Sequence, residues 1–490
     1  MATFSAAQLD KFAGTKRITQ ETFDAAVREN IDEFEMEPQE ALKSAVDEFS
    51  AQGVDLSNII KTVDGGDITS HPATVAVHAL QAAAAAGDFR AMASAANDIA
   101  AAAGAGAGSE GAALVLHRTG AAQAVVQSLA AAAVDQHALL HILQALAALL
   151  GAGSRELQAD FLQAAGVPAL QRVLSSQPCS GTLAAAALQA AAASAEKNEE
   201  GKAALMESGC GSSCLEVMQR YADEPEAVQA ACAVLCALTN PDDDTQPGSR
   251  RAVGQRGRTV LAFPNARALA KDGAAKQLVE TLRGYAAQLP EVTAAVASAL
   301  KQVAANEEIC QEVAAVGGMQ LILQILRTGM ADVVLVRPLC ALLRQLVNSD
   351  GNKTLLVESG GLELLAALLS AYSSNPGVLE QALGLLTNAT LRNPEAASKA
   401  LECGCLDAML ELIRVALASS NGKENRSATA VQRQACMAIR NSAARNPDVR
   451  AVLLDKGAEG LLRQLKAAYP SCADAGSAAL RDLGLDNYNN

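Results

Sequence analysis

The stretch Glu358-Ser359-Gly360-Gly361-Leu362-Glu363-Leu364-Leu365 places a glycine and a small residue before an apolar pattern, and this arrangement returns along the chain. The spacings between successive glycines of this kind are 46, 43, 64, 44, 43, 44 and 53 residues. Five of the seven spacings fit a helical repeat unit of roughly 40–47 residues, so the sequence predicts an array of helical repeats. The eight glycines are Gly120, Gly166, Gly209, Gly273, Gly317, Gly360, Gly404 and Gly457.

Each repeat unit contains the pattern of one short helix and two longer ones. Residues 406–413 place apolar side chains at i, i+3, i+4 and i+7, as on one face of a helix. A longer apolar helix over about 379–391 ends near Asn393-Pro394, and a short helix over 395–402 returns to the next glycine. The sequence therefore predicts an all-α fold, an armadillo/HEAT-type right-handed α-solenoid of about eight to nine repeats with an N-terminal amphipathic helical segment.

Composition and charge limit the classes of partner. No apolar stretch of about 20 residues is free of polar interruptions, which favours a cytoplasmic protein, with the nucleus as a second compartment. The net charge of −14 argues against a general nucleic-acid binder, which needs excess Lys and Arg to displace phosphate counterions. We expect protein partners, no nucleic acid and no membrane, with the chain acting as a monomer or as one component of a larger complex.

Charge and composition also divide the chain into segments. Residues 1–70 hold 14 Asp/Glu and 6 Lys/Arg, a net charge of −8, and predict an acidic N-terminal helical hairpin. Residues 71–110 predict one Ala-rich helix at about 73–103 and a flexible Gly/Ala linker. Residues 111–485 form the predicted armadillo-repeat array, and 486–490 form a C-terminal tail. The longest gap between repeat glycines holds about 20 extra residues at 241–260, whose charges and two prolines predict a protruding loop. Four arginines in this insert fit either a solvated loop or a local binding patch (Arg250, Arg251, Arg256 and Arg258).

The apolar stripe of the N-terminal hairpin allows two hypotheses. Phe23, Val27, Phe34 and Phe49 share the apolar faces of the two predicted helices. The stripe could pack on the first repeats as a cap, because the ends of a repeat array expose apolar surface. The acidic hairpin could instead occupy the groove of the array and compete with partners.

A family resemblance is carried by the N-terminal stretch Lys16-Arg17-Ile18-Thr19-Gln20-Glu21-Thr22-Phe23 and by Gln52-Gly53-Val54-Asp55-Leu56. Matching stretches recur later, among them Gln434-Ala435-Cys436-Met437-Ala438-Ile439-Arg440-Asn441 and Ala478-Ala479-Leu480-Arg481-Asp482-Leu483-Gly484. These residues resemble the armadillo repeat-containing protein 6 family over nearly the whole chain. The resemblance implies a cytosolic helical-repeat protein and assigns it no biochemical activity.

Several patterns could carry chemistry, and we interpret each as structural. Cys210 and Cys214 mimic a zinc-ligand pair, but both occupy positions that are small or apolar in other repeats. His137 and His141 are at i, i+4 without a third ligand. No nucleophile, base and orienting group stand together, so we expect a non-enzyme with no metal and no cofactor.

The repeat register predicts a binding surface. Counting back 16 residues from each repeat glycine reaches the long third helix, on the face that lines the concave groove of armadillo folds, at Ala193, Lys301, Arg344, Asn388 and Asn441. In similar proteins an asparagine ladder at this position hydrogen-bonds the backbone of an extended peptide. Arg392 and Arg445 are predicted one turn later on the same face, with Asn348 beside the Arg344 register. A plain solvated helix face is the alternative. The predicted partner-binding residues are Lys301, Arg344, Asn348, Asn388, Arg392, Asn441 and Arg445.

These features favour a non-enzymatic protein–protein interaction scaffold that binds an extended or acidic partner segment in the groove. A structural or docking component of a cytoskeletal or ciliary assembly is the alternative. A nuclear-import adaptor is less favoured, because such adaptors pair asparagine with tryptophan and this chain has no Trp. Gly384 and Met437 stand where tryptophan would be expected.

Overall fold

The computed structural model describes residues 10–12, 15–56, 59–61, 68–104, 110–176, 178–241, 261–286, 288–419 and 426–486. Two compact units are present, one within residues 1–213 and the other formed by 214–241 and 257–490. The predicted linker at 105–109 and the insert at 242–260 lie outside the described residues.

The first unit contains a small sheet and eleven of the described helices. They are β1 Asp10–Phe12, β2 Thr15–Arg17, α1 Gln20–Asp32, α2 Pro38–Ala51, β3 Val54–Asp55, α3 Pro72–Ala86, α4 Phe89–Gly104, α5 Glu110–Arg118, α6 Ala121–Ala131, α7 Gln136–Gly151, α8 Arg155–Gln163, α9 Gly166–Ser175, α10 Gly181–Ala195 and α11 Glu199–Glu207. The helix α12 Cys210–Arg220 continues the chain towards the second unit.

The second unit is helical throughout its described residues. Its helices are α13 Pro225–Thr239, α14 Ala262–Lys271, α15 Ala274–Tyr285, α16 Pro290–Val303, α17 Glu307–Ala315, α18 Gly318–Thr328, α19 Val333–Leu346, α20 Asp350–Glu358, α21 Gly361–Ala371, α22 Pro376–Thr390, α23 Pro394–Glu402, α24 Cys405–Ser419, α25 Arg426–Ala443, α26 Pro447–Asp455, α27 Ala458–Ala468, a 3-10 helix Pro470–Cys472 and α28 Ala473–Asp482.

Residues 10–60 form an N-terminal module with a core of its own. The strand β2 pairs antiparallel with β1 and parallel with β3, so the sheet has the order β1-β2-β3. Thr19 caps α1 by accepting a hydrogen bond from the Thr22 backbone, and Pro38 begins α2, where its missing N–H costs nothing. The sequence predicted the two helices and missed the short strands.

The apolar stripe of the hairpin packs inside the N-terminal module. Phe23, Val27 and Phe49 are buried in a cluster whose members lie between residues 18 and 59, and the rings of Phe23 and Phe49 are 6.0 Å apart. Phe34 is instead 57% exposed. The hypothesis that this stripe packs on the first repeats is therefore wrong, because α1, α2 and the segment after them cover one another.

The Ala-rich segment forms two helices where the sequence predicted one. Gly87 ends α3 with a left-handed φ of 67°, a conformation that favours glycine, and α4 begins two residues later. The helix α3 packs on α4 and α6, and α4 packs on α7. These contacts make α3 and α4 the second and third helices of a repeat.

The remaining helices follow the predicted order of one short helix and two longer ones. Complete repeats are α5–α7 and α8–α10 in the first unit, and α14–α16, α17–α19, α20–α22, α23–α25 and α26–α28 in the second. Third helices pack side by side, as α4, α7 and α10 in one unit and as α13, α16, α19, α22, α25 and α28 in the other. The all-α solenoid architecture is confirmed, with the short N-terminal sheet as an addition to it.

The turn between the first and second helices explains the repeated glycine. Seven of the eight predicted glycines have φ between 67° and 88°, where L side chains are strained. In the second complete repeat, however, the left-handed residue is Ala165, with φ 57°. Gly166 lies one position later, and a Cβ there would come within 2.1 Å of the Phe161 ring. The predicted position of the turn residue in this repeat was therefore wrong by one residue.

Ala165→Gly is expected to stabilise the first unit by about 0.5–1 kcal/mol. The left-handed conformation costs an L residue about 1–2 kcal/mol, which exceeds the extra backbone entropy that glycine loses on folding. The denaturant midpoint of the first unit would measure the effect. Ala164→Gly is the matched control and should destabilise, because Ala164 has φ −75°. Equal destabilisation by both changes would contradict the explanation.

A buried donor recurs at the fourth position of several short first helices. Gln158 Nε2 donates to the carbonyl oxygens of Ala193 and Glu196 at the end of α10. Lys353 Nζ, 6% exposed, donates to the Leu391 carbonyl at the end of α22 and pairs with Asp350. The last carbonyls of a helix have no partner within the helix, so these side chains satisfy them and fix the first helix to the third.

None of the described helices is by itself long and apolar enough to cross a membrane. Two helix pairs reach that length and composition only together, and they are bent by 71° (α17 with α18) and 77° (α20 with α21).

Candidate partner-binding groove

A groove lies between the third helices of the second unit. Two adjoining cavities of about 450 and 730 Å³ form it and share Lys301 on α16, Ala341 on α19 and Gln381 on α22. The first cavity also reaches Arg344 and Asn388. We call these two cavities together the groove.

The groove is lined by positive charge. Lys301, Arg337 and Arg344 line it, and among the residues that the structure describes no carboxylate lines either cavity. In the described part of the chain none of these three cations has an ion pair. Several exposed cations elsewhere in the second unit are paired, as Arg283 is with Glu280 at 2.6 Å and Arg433 with Asp474 at 2.6 Å. A protein of net charge −14 therefore keeps this surface basic.

Apolar side chains lie at the two ends of the groove. Phe263 on α14 lines the first cavity and is 62% exposed. Val333 and Val334, each 42% exposed, line the second cavity at the start of α19. These side chains give the groove apolar ends on either side of its cationic centre.

Arg344 lies across the backbone of the neighbouring third helix. A Cβ added to Gly384 would come within 2.6 Å of Arg344 Nε and 2.7 Å of its Cζ. The guanidinium donates one long hydrogen bond, from Nη1 to Gln381 Oε1 at 3.4 Å. Its remaining N–H groups have no recorded acceptor among the described residues.

The two predicted ladder asparagines lie on third helices, half-buried, and both donate within the array. Asn388 Nδ2 donates to the Arg344 carbonyl at 3.0 Å and to Asn348 Oδ1 at 3.1 Å. Asn441 Nδ2 donates to the Thr387 carbonyl at 2.8 Å. Both amide hydrogens of Asn388 are therefore used between repeats, which leaves its Oδ1 as an acceptor.

Arg392 and Arg445 do not lie on the third helices as the sequence predicted. The helices α22 and α25 end at Thr390 and Ala443, and both arginines follow in left-handed turns with φ 55° and 59°. Each precedes an Asn-Pro pair, and proline disfavours helix in the residue before it, so the chain turns here. Arg445 lines a different depression, beside the first helix α23.

Arg337 is a groove residue that the sequence analysis missed. It lies on α19, seven residues before Arg344, and so occupies the same helix face two turns earlier. The register was counted from one position per repeat, although the i, i+7 spacing of the two arginines was available in the sequence.

Comparisons with known proteins agree with this architecture. Residues 15–85 match the armadillo repeat-containing protein 6 N-terminal domain, and residues 349–391 match the armadillo/beta-catenin-like repeat. Armadillo repeat-containing protein 6 of Homo sapiens is 29% identical over 78% of this chain and 75% of its own length. The Drosophila melanogaster homolog is 26% identical over 79% of this chain and 80% of its own. The chain is therefore similar to armadillo repeat-containing protein 6 over more than three quarters of its length.

A solved structure has the same helical-repeat fold as this chain. The crystal structure of an engineered protein from the Northeast Structural Genomics Consortium has a TM-score of 0.66 and 19% identity, and it covers 95% of this chain and 99% of its own. The armadillo/beta-catenin-like repeat matched at residues 349–391 is of a type that generally mediates protein–protein interaction, which supports a non-enzymatic interaction scaffold.

The cysteines and histidines of this armadillo protein fit structural roles. Cys210 and Cys214 are buried, and burial raises the pKa of the Cys236 thiol to about 11 and that of Cys340 to about 12. The Nε2 atoms of His137 and His141 are 3.3 Å apart. The pKa of His141 is lowered by burial and by the neighbouring His137. Within the described ranges no three His, Cys, Asp or Glu side chains are grouped so that they could hold a metal ion.

Proposed function

We propose that this protein is a scaffold whose groove binds an extended, acidic segment of a partner protein. The observation that carries the proposal is that Lys301, Arg337 and Arg344 line one groove in which the described residues supply no carboxylate. Cations without an ion pair among the described residues attract a partner of opposite charge. They raise its association rate and fix the position in which it binds along the groove.

The dimensions of the groove favour an extended segment of about eight residues. Neighbouring helices pack about 8–10 Å apart, so a path across α13, α16, α19 and α22 is about 25–30 Å long. An extended chain covers this length at about 3.3–3.6 Å per residue. Acidic side chains would meet the three cations, and apolar ones would meet Phe263 and the two valines at the ends. The bare backbone of such a segment could donate to Asn388 Oδ1, whose own amide hydrogens are already used.

Selection from a display library of random peptides about ten residues long is expected to enrich Asp and Glu. The selected peptides should bind the Lys301→Glu/Arg344→Glu variant at least tenfold more weakly, because two attractive charges become repulsive. Fluorescence anisotropy of labelled peptides would measure the dissociation constants. Their salt dependence should also fall in the variant, because exposed charges are screened over about 8 Å at physiological ionic strength.

Arg392→Glu/Arg445→Glu provides the matched control. It reverses the same number of charges, and neither residue lines the groove. This variant should bind the selected peptides within about twofold of the wild type, since only the long-range charge changes. Loss of binding in the control with unchanged binding in the groove variant would contradict the proposal. It would instead place the binding surface at the turns that contain Arg392 and Arg445.

A further inference from the structure

We propose that Gly384 makes the groove selective for a carboxylate, because only a residue without a side chain lets the Arg344 guanidinium lie across α22 and face the ligand. The inference rests on the proposed function, since it concerns the same groove and names the chemical group that the groove recognises. The ligand class is an acidic side chain of an extended peptide.

The space above Gly384 is already filled by Arg344. A Cβ built on Gly384 would lie 2.6 Å from Nε, 2.7 Å from Cζ and 2.8 Å from Cδ of Arg344. Nonbonded carbon atoms in proteins pack at about 3.5–4.0 Å, so a methyl group and the guanidinium cannot share this position. The atoms in conflict belong to the far end of a flexible side chain. A substitution at Gly384 would therefore move Arg344 while the helix stays in place.

The Arg344 guanidinium has N–H donors without a recorded acceptor among the described residues. A guanidinium has five N–H donors in a planar fork, and the structure records one of them in use, towards Gln381 at 3.4 Å. Such a fork binds a carboxylate through two parallel hydrogen bonds, which a neutral amide cannot match. Packing across the backbone of α22 reduces the number of orientations open to the guanidinium. This restriction lowers the entropy lost on binding.

The neighbouring residues fit a carboxylate of this kind. Lys301 on α16 and Gln381 on α22 line the same cavity as Arg344, which places a second cation and an amide around the guanidinium. No acidic residue lines the cavity to occupy the fork from within the described part of the chain. Arg344 supplies the fork, Lys301 adds charge, and Gly384 acts as a positioning residue through Arg344.

The test compares a Glu peptide with its Gln counterpart. An acidic peptide selected on the wild type is resynthesised with each Glu changed to Gln in turn, and both forms are titrated against wild type and Gly384→Ala. We expect one position at which the wild type prefers Glu by about tenfold or more. In Gly384→Ala this preference should fall to about twofold to threefold, with the melting temperature unchanged or raised, since alanine favours a helix over glycine.

Two further variants separate positioning from stability and from charge. Gly460→Ala adds the same methyl group at an exposed position of α27, where nothing lies within 4 Å, and should leave the preference for Glu unchanged. Arg344→Lys keeps the charge and removes the fork, and should lose the preference as Gly384→Ala does.

The possible results distinguish this inference from the proposed function. An unchanged Glu preference in Gly384→Ala, together with weak binding by Lys301→Glu/Arg344→Glu, would overturn the role of Gly384 and leave the acidic groove standing. Selected peptides without acidic residues would overturn both. A preference lost in Gly384→Ala and kept in Gly460→Ala would support the inference.

Discussion

Lys353→Ala is expected to lower the free energy of unfolding of the second unit by about 2–4 kcal/mol. Lys353 is buried on the short helix α20, where its ammonium donates to the Leu391 carbonyl at 2.8 Å and to Asp350 at 2.7 Å. Alanine removes the donor to the end of α22 and leaves a cavity where the lysine stem packed. The loss should therefore loosen the contact between the first and third helices of this repeat.

Lys353→Gln is the matched control, because glutamine has this role in another repeat. Gln158 lies at the same position of α8 and donates to the end of α10 at 2.9 Å. We expect glutamine to retain most of the stability lost in the alanine variant. Hydrogen exchange of the amides in α20 and α22 would localise the effect, since a repeat array need not unfold in one step. Equal destabilisation by alanine and glutamine would show that the second unit is stabilised by the charge of Lys353 and not by its hydrogen bond to the end of α22.

The pH dependence of stability separates the contribution of the Lys353–Asp350 ion pair from that of the hydrogen bond to Leu391. The hydrogen bond and charge of Lys353 lower the pKa of Asp350. A lowered carboxyl pKa stabilises the fold above the pKa of the unfolded chain, near 3.9, and this contribution is lost as the pH falls through the folded value. Because the Asp350 side chain is 88% exposed, we expect this contribution to be small. The alanine variant should therefore remain less stable than the wild type at a pH where Asp350 is protonated.

Phe23→Ala is expected to unfold the N-terminal module while the repeats stay folded. Removing a fully buried phenylalanine costs about 3–5 kcal/mol, and a module of this size has a total stability of only a few kcal/mol. Phe23 is 0% exposed and lies against Phe49 within a core drawn from residues 18–59. Hydrogen exchange should show α1 and α2 unprotected, with α6 and α7 unchanged.

Phe34→Ala provides the control for this change. Phe34 is 57% exposed on the same hairpin, so its removal should alter stability by no more than about 0.5 kcal/mol. The charge of Arg17 in the module reaches the array, since it helps to lower the pKa of Glu156 on α8, after a backbone hydrogen bond, Ser154 and His117. If Phe23→Ala also exposed the amides of α6 and α7, the module and the first repeats would be one cooperative unit.

The sequence was sufficient for the features that depend on local pattern. The glycine spacing, the i, i+3, i+4, i+7 apolar stripes and the Asn-Pro helix ends predicted the repeat and its three helices. Even there, Gly166 was placed one residue out of register, because a left-handed alanine at 165 has no sequence signature. Lys301, Arg344 and Asn388 were predicted to share one surface because they occupy one position of the repeated third helix, and all three line the same cavity.

Only the tertiary structure decided what these side chains face. The sequence predicted that Arg392 continues the helix face of Asn388, but α22 ends at Thr390 and Arg392 itself is in a left-handed turn. It gave no reason for a lysine at position 353, whose acceptor is a carbonyl 38 residues away. Gly384 counted only as a missing tryptophan, whereas in the fold it provides the space that Arg344 fills. Helix formation depends on residues close in the chain, and the sequence determines it directly. The free donors and acceptors of a surface depend on neighbours about one repeat distant, and those are fixed only when the helices pack.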